Sequence, residues 1–315
     1  MADEVTTVSS VWDAIPNLTV AEMLSDPTLL TDAFGERLDE FQAFDAFFEV
    51  KNVNSDIVPY RHATAAYLED DPIVIPEGGE IPVSDPLAPT ELLHATIKKY
   101  GIGLRVTWEQ IKDDRRDEVA DELTAKANTV SRHKKLEALA ALKAAPVQEL
   151  QVSKPWDAGG DVKGDLLDAQ ALILDAKDKK GDPLMYEPAV VWASPTTIMD
   201  IQRSKSMDDL YNGNMASAHP LFQKAGNLPS LFSDSIAVIK DFAIPHGELW
   251  MGSNIKAGKL AQREDEYTSP FYAEDGGAVD VRYGKRQTAR ANYSHRRAFY
   301  VQHPLSVVHM TGLAG

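Results

Sequence analysis

The chain has 315 residues, 43% of them hydrophobic and 25% charged, a soluble globular composition sufficient for one large domain or two to three modest ones. It contains no Cys, which excludes disulfides and thiolate metal sites, and no apolar run near the roughly 18–20 residues that span a bilayer. Met1-Ala-Asp-Glu-Val5 lacks the basic and apolar regions of a secretory signal, so the expectation is a soluble chain made inside a cell, without membrane contact.

The net charge of −16 is unevenly spread. Residues 1–50 carry eleven Asp and Glu against a single Arg37, whereas residues 281–315 carry Arg282, Lys285, Arg286, Arg290, Arg296 and Arg297 and no acid. Such asymmetry steers contacts between opposite ends of neighbouring copies; the plainer reading is a solvated arm and a solvated strand face. An acidic chain repels phosphate, so nucleic acid is expected to be touched only locally and without sequence preference.

Residues 1–18 read as an arm. Thr19-Val-Ala-Glu22 matches a capping box, and a helix is expected over about Asp32–Phe48, where Phe34, Leu38, Phe41, Phe44, Phe47 and Phe48 form one greasy face. From Asn52 to Ala95 the chain is punctuated by Pro59, Pro72, Pro76, Pro82, Pro86 and Pro89. Gly78-Gly79, between Ile73-Val-Ile75 and Ile81-Pro-Val83, predicts a long hairpin with proline-blunted edges. A two-stranded hairpin is marginal in water by itself, so it must lie on a neighbour or on its own body.

Thr96–Val106 reads as a strand. One unbroken helix is expected over about Trp108–Ala145, opened by Thr107 with Gln110 and ended by Pro146. Its expected buried stripe is Ile111, Val119, Leu123, Ala127, Val130, Leu136, Leu139 and Leu142. Residues 147–164 read as a polar connection, followed by a helix at Leu166–Ala176, a strand at Ala189–Ala193 and a helix at Thr196–Gln202. Strands are expected at Ser235–Ile239 and Glu248–Met251, and residues 278–310 as β-rich.

Candidate chemistry is sparse. Gly101-Ile-Gly103 lacks the third glycine and the helix start of a dinucleotide fingerprint, and Gly159-Gly-Asp-Val-Lys-Gly164 lacks the ending of a P-loop. His303 and His309 share a strand face at best, and Ser294-His295 point to opposite faces. Glu264-Asp-Glu266, with Glu274-Asp275, reads as a solvated loop with some potential for a divalent cation. Arg296-Arg297 is expected to meet an acidic patch on a neighbour rather than phosphate. No constellation argues for an enzyme, and no cofactor or structural metal is expected.

The order of parts resembles a major capsid protein of tailed bacteriophages of the Hong Kong 97 type, especially those infecting actinobacteria. The resemblance rests on the loop Asn52–Ala95, on Val106-Thr-Trp-Glu-Gln-Ile-Lys-Asp113 leading into the long helix, and on Glu187-Pro-Ala-Val-Val-Trp-Ala-Ser-Pro195. Ile244-Pro-His-Gly-Glu-Leu-Trp-Met251 and His295-Arg-Arg-Ala-Phe-Tyr-Val-Gln-His-Pro-Leu-Ser-Val-Val308 complete it. It covers about Val50–Leu313 and implies an α+β fold. Its parts would be an N-terminal arm (1–51), an extended E-loop (52–95) and a peripheral domain with spine helix (96–164). An axial domain (165–277) and C-terminal strands returning to the peripheral domain (278–315) would follow.

The implied function is a virion shell subunit, in the host cytoplasm before assembly. It would form hexamers and pentamers around double-stranded DNA, with a portal and optional decoration proteins as partners. Pro76, Gly78, Gly79, Glu80, Pro82, Arg296 and Arg297 are the expected assembly contacts. In the family's founding member a loop lysine joins a neighbour's asparagine; residues 52–97 here hold no Lys, so that link lacks its nucleophile. Only about fifty residues precede the loop, which points to a separate scaffolding protein. Two rival readings are an encapsulin-like nanocompartment shell and a soluble α/β enzyme.

Overall fold

The computed structural model describes residues 19–21, 43–63, 74–81, 83, 91–178, 181–204, 236–275, 281–283 and 285–315. The first half contains β1 (Phe48–Asn52), β2 (Ile57–Tyr60), β3 (Leu93–Thr96), β4 (Lys98–Thr107), α1 (Trp108–Lys112), α2 (Arg116–Ala144) and β5 (Gln148–Gln151). The second contains α3 (Val162–Leu174), β6 (Pro188–Ala193), α4 (Pro195–Arg203), β7 (Ala237–Lys240), β8 (Leu249–Ser253), β9 (Gly258–Thr268), β10 (Tyr272–Ala273), β11 (Thr288–Val301) and β12 (Val307–Thr311).

Strand β11 organises the first sheet. Along Thr288–Arg297 it pairs antiparallel with β4, and along Tyr293–Val301 antiparallel with β9. Strand β1 lies parallel beyond β9, and β10 adds a short pairing near Arg290. The second sheet runs β5-β12-β8-β6-β7, and β2 with β3 forms a separate two-stranded ladder.

Helix α2 joins the two sheets. Val119, Leu123, Ala127 and Val130 recur at helical spacing and pack on Leu104, Val106, Ala291 and Tyr293 of the first sheet. Further along, Ala138, Leu139 and Leu142 meet Phe44, Phe47 and Phe48 together with Trp192, Trp250 and Val307 of the second. The other side of the second sheet is covered by α3 and α4 through Leu166, Ala169, Ile173, Ile198 and Ile201.

Several expectations are corrected. The long helix breaks at residues 113–115, where Asp114 adopts a left-handed φ of 49°, a conformation Asp tolerates better than most residues. Its carboxylate accepts from Arg116 Nε at 2.6 Å on the C-terminal flank of the break and from the backbone N–H of the distant Val20 at 2.8 Å. The Thr107–Gln110 capping box does form, at the head of the short α1. Leu136, expected in the buried stripe, is half-exposed. Ala43–Ala46 is a 3-10 turn and Phe48 begins β1, so no helix reaches Phe48. Phe34, Leu38 and Phe41 lie outside the described residues.

The connection after Pro146 contains β5, which pairs parallel with β12. The acidic run Glu264–Glu266 sits inside strand β9, where a solvated loop was expected. Of the two closing strands, β11 pairs with β4 whereas β12 pairs with β8 in the second sheet.

Candidate assembly surfaces

The long loop is rooted by β2 and β3, which pair from Ile57↔Thr96 to Tyr60↔Leu93. Val58 and Ala95 of this root bury against Ile97, Ala261 and Tyr300 of the body. At the far end Gly79 N donates to Pro76 O at 2.8 Å, and Gly78 has φ 78°, the positive value that position i+2 of a type II turn demands of glycine. The predicted turn is present. The predicted strands beside it are not: Val74, Ile75, Ile81 and Val83 belong to no strand, because the interspersed prolines supply no N–H to a ladder. Pro76, Gly78, Gly79 and Glu80 are exposed, and Pro82 lies outside the described residues. Val74, Ile81 and Val83 are 97%, 74% and 93% exposed.

Arg296 and Arg297, adjacent in sequence, are separated by strand alternation. Ala289, Ala291, Tyr293, His295 and Arg297 all face inward. Arg297 is 4% exposed, and its Nε donates to Glu137 Oε2 on α2 at 2.9 Å. Arg296 points the other way, 3.4 Å from Glu264 and 4.0 Å from Asp56. The expectation that both arginines reach a neighbour is therefore corrected for Arg297, whose charge is spent inside the subunit.

Around Arg297 lies a polar layer between α2 and the first sheet that periodicity alone did not reveal. Lys134 is buried and paired with Glu266 of β9. Tyr100 stacks on His295 with centroids 5.5 Å apart, and the Arg297 guanidinium lies 5.9 Å from the Tyr100 ring. Neither His295 ring nitrogen, nor Arg297 Nη1 or Nη2, has a hydrogen-bond partner among the described residues. Burial, then the nearby Arg297, Lys134 and His133, push the His295 pKa down to about 3. Burial, with Glu137 adding to it, pushes Tyr100 up to about 12. Cavities of about 210 and 180 Å³ flank His295, below the roughly 300–1,000 Å³ of small-molecule sites.

The opposite end of the β4–β11 ladder carries a second charged group that the sequence reading missed. Arg105 of β4 and Arg290 of β11 are direct cross-strand partners. Glu274 accepts from Arg105 with both carboxylate oxygens and from Thr288 Oγ1 at 2.8 Å. Arg286 and Arg290 lie 3.5 and 3.8 Å from the same carboxylate. Hydrogen bonds from Arg105 and Thr288 hold the Glu274 carboxyl down at about 2. The signal for this cluster lay in the strand register, which places residues 185 positions apart side by side.

The remaining candidates resolve into structure. Gly101 lies where a Cβ would meet Tyr293 O at 2.9 Å, so that glycine serves close strand approach. Among the described residues no group of three or more His, Asp or Glu is placed to hold a metal ion, and no helix is long and apolar enough to cross a membrane. His303 precedes a 3-10 turn and bonds Tyr186, while His309 on β12 stacks on Trp250.

Comparison with curated proteins returns no match. Among solved structures, a virus-like particle from Pyrococcus furiosus is similar, with a TM-score of 0.56 at 9% identity over 90% of this chain and 98% of that one. The Microbacterium phage Oxtober96 chain gives a TM-score of 0.53 at 12% identity over 96% and 99%. The capsid of cyanophage P-SCSP1u gives 0.56 at 11% over 87% and 89%. At these identities the likeness speaks to the fold, which is the mixed α+β, Hong Kong 97-like capsid fold. A family profile described as phage capsid protein matches residues 90–308. The chain belongs to the phage capsid protein family.

Proposed function

We propose that this capsid subunit assembles into hexamers and pentamers of an icosahedral phage head enclosing double-stranded DNA, without covalent cross-links between subunits. The observation that carries this reading is the loop. Its root is anchored in the body, yet Val74 and Val83 near its tip are almost wholly exposed and Ile81 largely so. Exposed apolar side chains on a loop signal a partner surface, and a second copy supplies it. Contacts at Pro76, Gly78, Gly79, Glu80 and Pro82 are part of this proposal, with Arg296 on the outward face of β11.

The loop holds no Lys between residues 52 and 97, which favours a shell held by many non-covalent interfaces acting together. A separate scaffolding protein, a portal, possible decoration proteins and non-specifically contacted DNA complete the expected partners. The decisive experiment deletes residues 72–89 and follows the full chain by sedimentation velocity and electron microscopy. A folded body that no longer closes into shells is expected; normal particles would remove the loop from assembly. Boiled particles should run as single chains near 34.6 kDa, and a ladder of multiples would reinstate cross-linking. Enzyme cargo in place of DNA inside the particles would move the reading to a nanocompartment.

A further inference from the structure

Resting on the capsid-subunit reading, we propose that the carboxylates Glu77 and Glu80 at the loop tip of one copy bind the arginine cluster Arg105, Arg286 and Arg290 of a second copy.

Among the described residues, the cluster holds more positive charge than it neutralises. Arg105 and Arg290 stand directly opposite each other on neighbouring strands, an arrangement of like charges that is destabilising by itself. Glu274 relieves it, yet that one carboxylate serves three guanidiniums. Asp275 accepts the backbone N–H of Arg286 at 2.8 Å. Among the described residues, three guanidiniums thus share the one Glu274 carboxylate. The side chains of Arg105, Arg286 and Arg290 are 53%, 66% and 42% exposed, so an incoming acid reaches them without unpacking the subunit. Matching is closer nearby, where Arg115 faces Asp113 and Glu118, and Arg116 faces Asp114.

The loop supplies the complement. Residues 61–92 contain seven acids (Glu69, Asp70, Asp71, Glu77, Glu80, Asp85 and Glu91) against Arg61 alone. Glu77 and Glu80 flank the Gly78–Gly79 turn, are exposed, and make no ion pair among the described residues. Carboxylates are the anions that the guanidinium fork binds through paired N–H donors.

Position supports a contact between copies. The loop is rooted beside Lys98, which pairs with Arg297 at one end of the β4–β11 ladder, and the arginine cluster lies at the Thr107–Thr288 end. At about 3.3 Å per residue the ten-residue β4 separates these ends by roughly 30 Å. The loop's root and the arginine cluster thus lie at opposite ends of the ladder, and a loop that reaches the cluster of a second copy makes a head-to-tail contact, the kind that closes into rings by rotation.

The test is charge reversal in the full chain, assembled with its scaffolding partner and read by sedimentation velocity and electron microscopy. Glu77→Arg with Glu80→Arg, and separately Arg286→Glu with Arg290→Glu, should each cut shell yield by at least about tenfold, since like-charge juxtaposition costs several kcal/mol. All four changes in one chain should restore assembly, an outcome that misfolding of either parent does not produce. Wild-type yield from either reversal, or no rescue by their combination, overturns the proposal while leaving the capsid reading intact. If the unaltered chain forms no shells under the same conditions, it is the capsid reading that fails.

The absence of native Cys permits a second readout. A short bismaleimide acting on Glu80→Cys, Arg286→Cys particles should link chain to chain. Linkage confined within single chains overturns the proposal. So does a reversed arginine cluster that keeps shell yield but loses packaged nucleic acid, which would mark the cluster as a phosphate contact.

Discussion

The two ends of the β4–β11 ladder use arginine in opposite ways. At the Lys98 end Arg297 is sealed under α2, pairs with Glu137 and touches no solvent to speak of. At the Thr107 end Arg105, Arg286 and Arg290 crowd one carboxylate and remain open to solvent. The difference is one of burial and local stoichiometry. A sealed guanidinium has lost its hydration and depends on one partner, so its loss is felt as stability. An exposed surplus keeps its hydration and costs little to leave in place, so it is available for association.

The largest effect that tests this contrast is on folding. Glu137→Ala leaves Arg297 buried without its carboxylate and should lower the unfolding free energy by about 3–5 kcal/mol, as read by chemical denaturation of the unassembled chain. A loss below about 1 kcal/mol would mean that the Arg297 end behaves like a surface pair.

Acid should act next, and mainly at the sealed end. His295 titrates near 3 in the folded chain against an ordinary value of 6.5, so below about pH 6.5 the unfolded state takes up a proton that the native state refuses. Stability should therefore fall as pH drops from about 6.5 towards 3 and level off beneath. Glu274 adds a second, lower limb. Its carboxyl is depressed from 4.5 to about 2, so its stabilisation is complete above about pH 4.5 and is lost as pH falls through 2. His295→Phe should flatten the upper limb and leave the lower one; an unchanged acid profile would place the sensitivity elsewhere.

Salt separates the ends more gently. Raising ionic strength from about 0.15 to 1 M shortens the screening length from about 8 to 3 Å. Shell formation should weaken, while the difference in stability between wild type and Glu137→Ala should persist. The smallest expected effect is that of Arg286→Ala on folding, within about 0.5 kcal/mol. A larger loss would show that the exposed cluster is structural after all.

Much of the fold was legible because periodicity reports burial. The α2 stripe at Val119, Leu123, Ala127 and Val130, the strand at Ala189–Ala193 and the turn at Gly78–Gly79 each follow from local spacing or a local backbone requirement. The break at Asp114 was not legible, since the left-handed residue is held by Val20, 94 positions earlier. Glu264-Asp-Glu266 looks like a solvated loop in sequence, yet it lies in β9, where Arg296 across the sheet and Lys134 of α2 neutralise two of its acids. The expected assembly residues fared unevenly for the same reason, with Arg297 turned inward and the loop tip left outside.

By itself the sequence determined the parts and their order: an acidic N-terminal region, a proline-broken loop, a long helix, an alternating α/β stretch and closing strands. These rest on local chemistry, namely missing proline donors, glycine φ and hydrophobic period. Only the tertiary structure decided which charges are partners. The six basic residues of 281–315 look equivalent in sequence. Register and side-chain alternation send Arg297 into the interior and leave Arg290 outside, while Arg286 lies exposed ahead of β11. Burial then sets whether a charge holds the subunit together or is free to meet the next one.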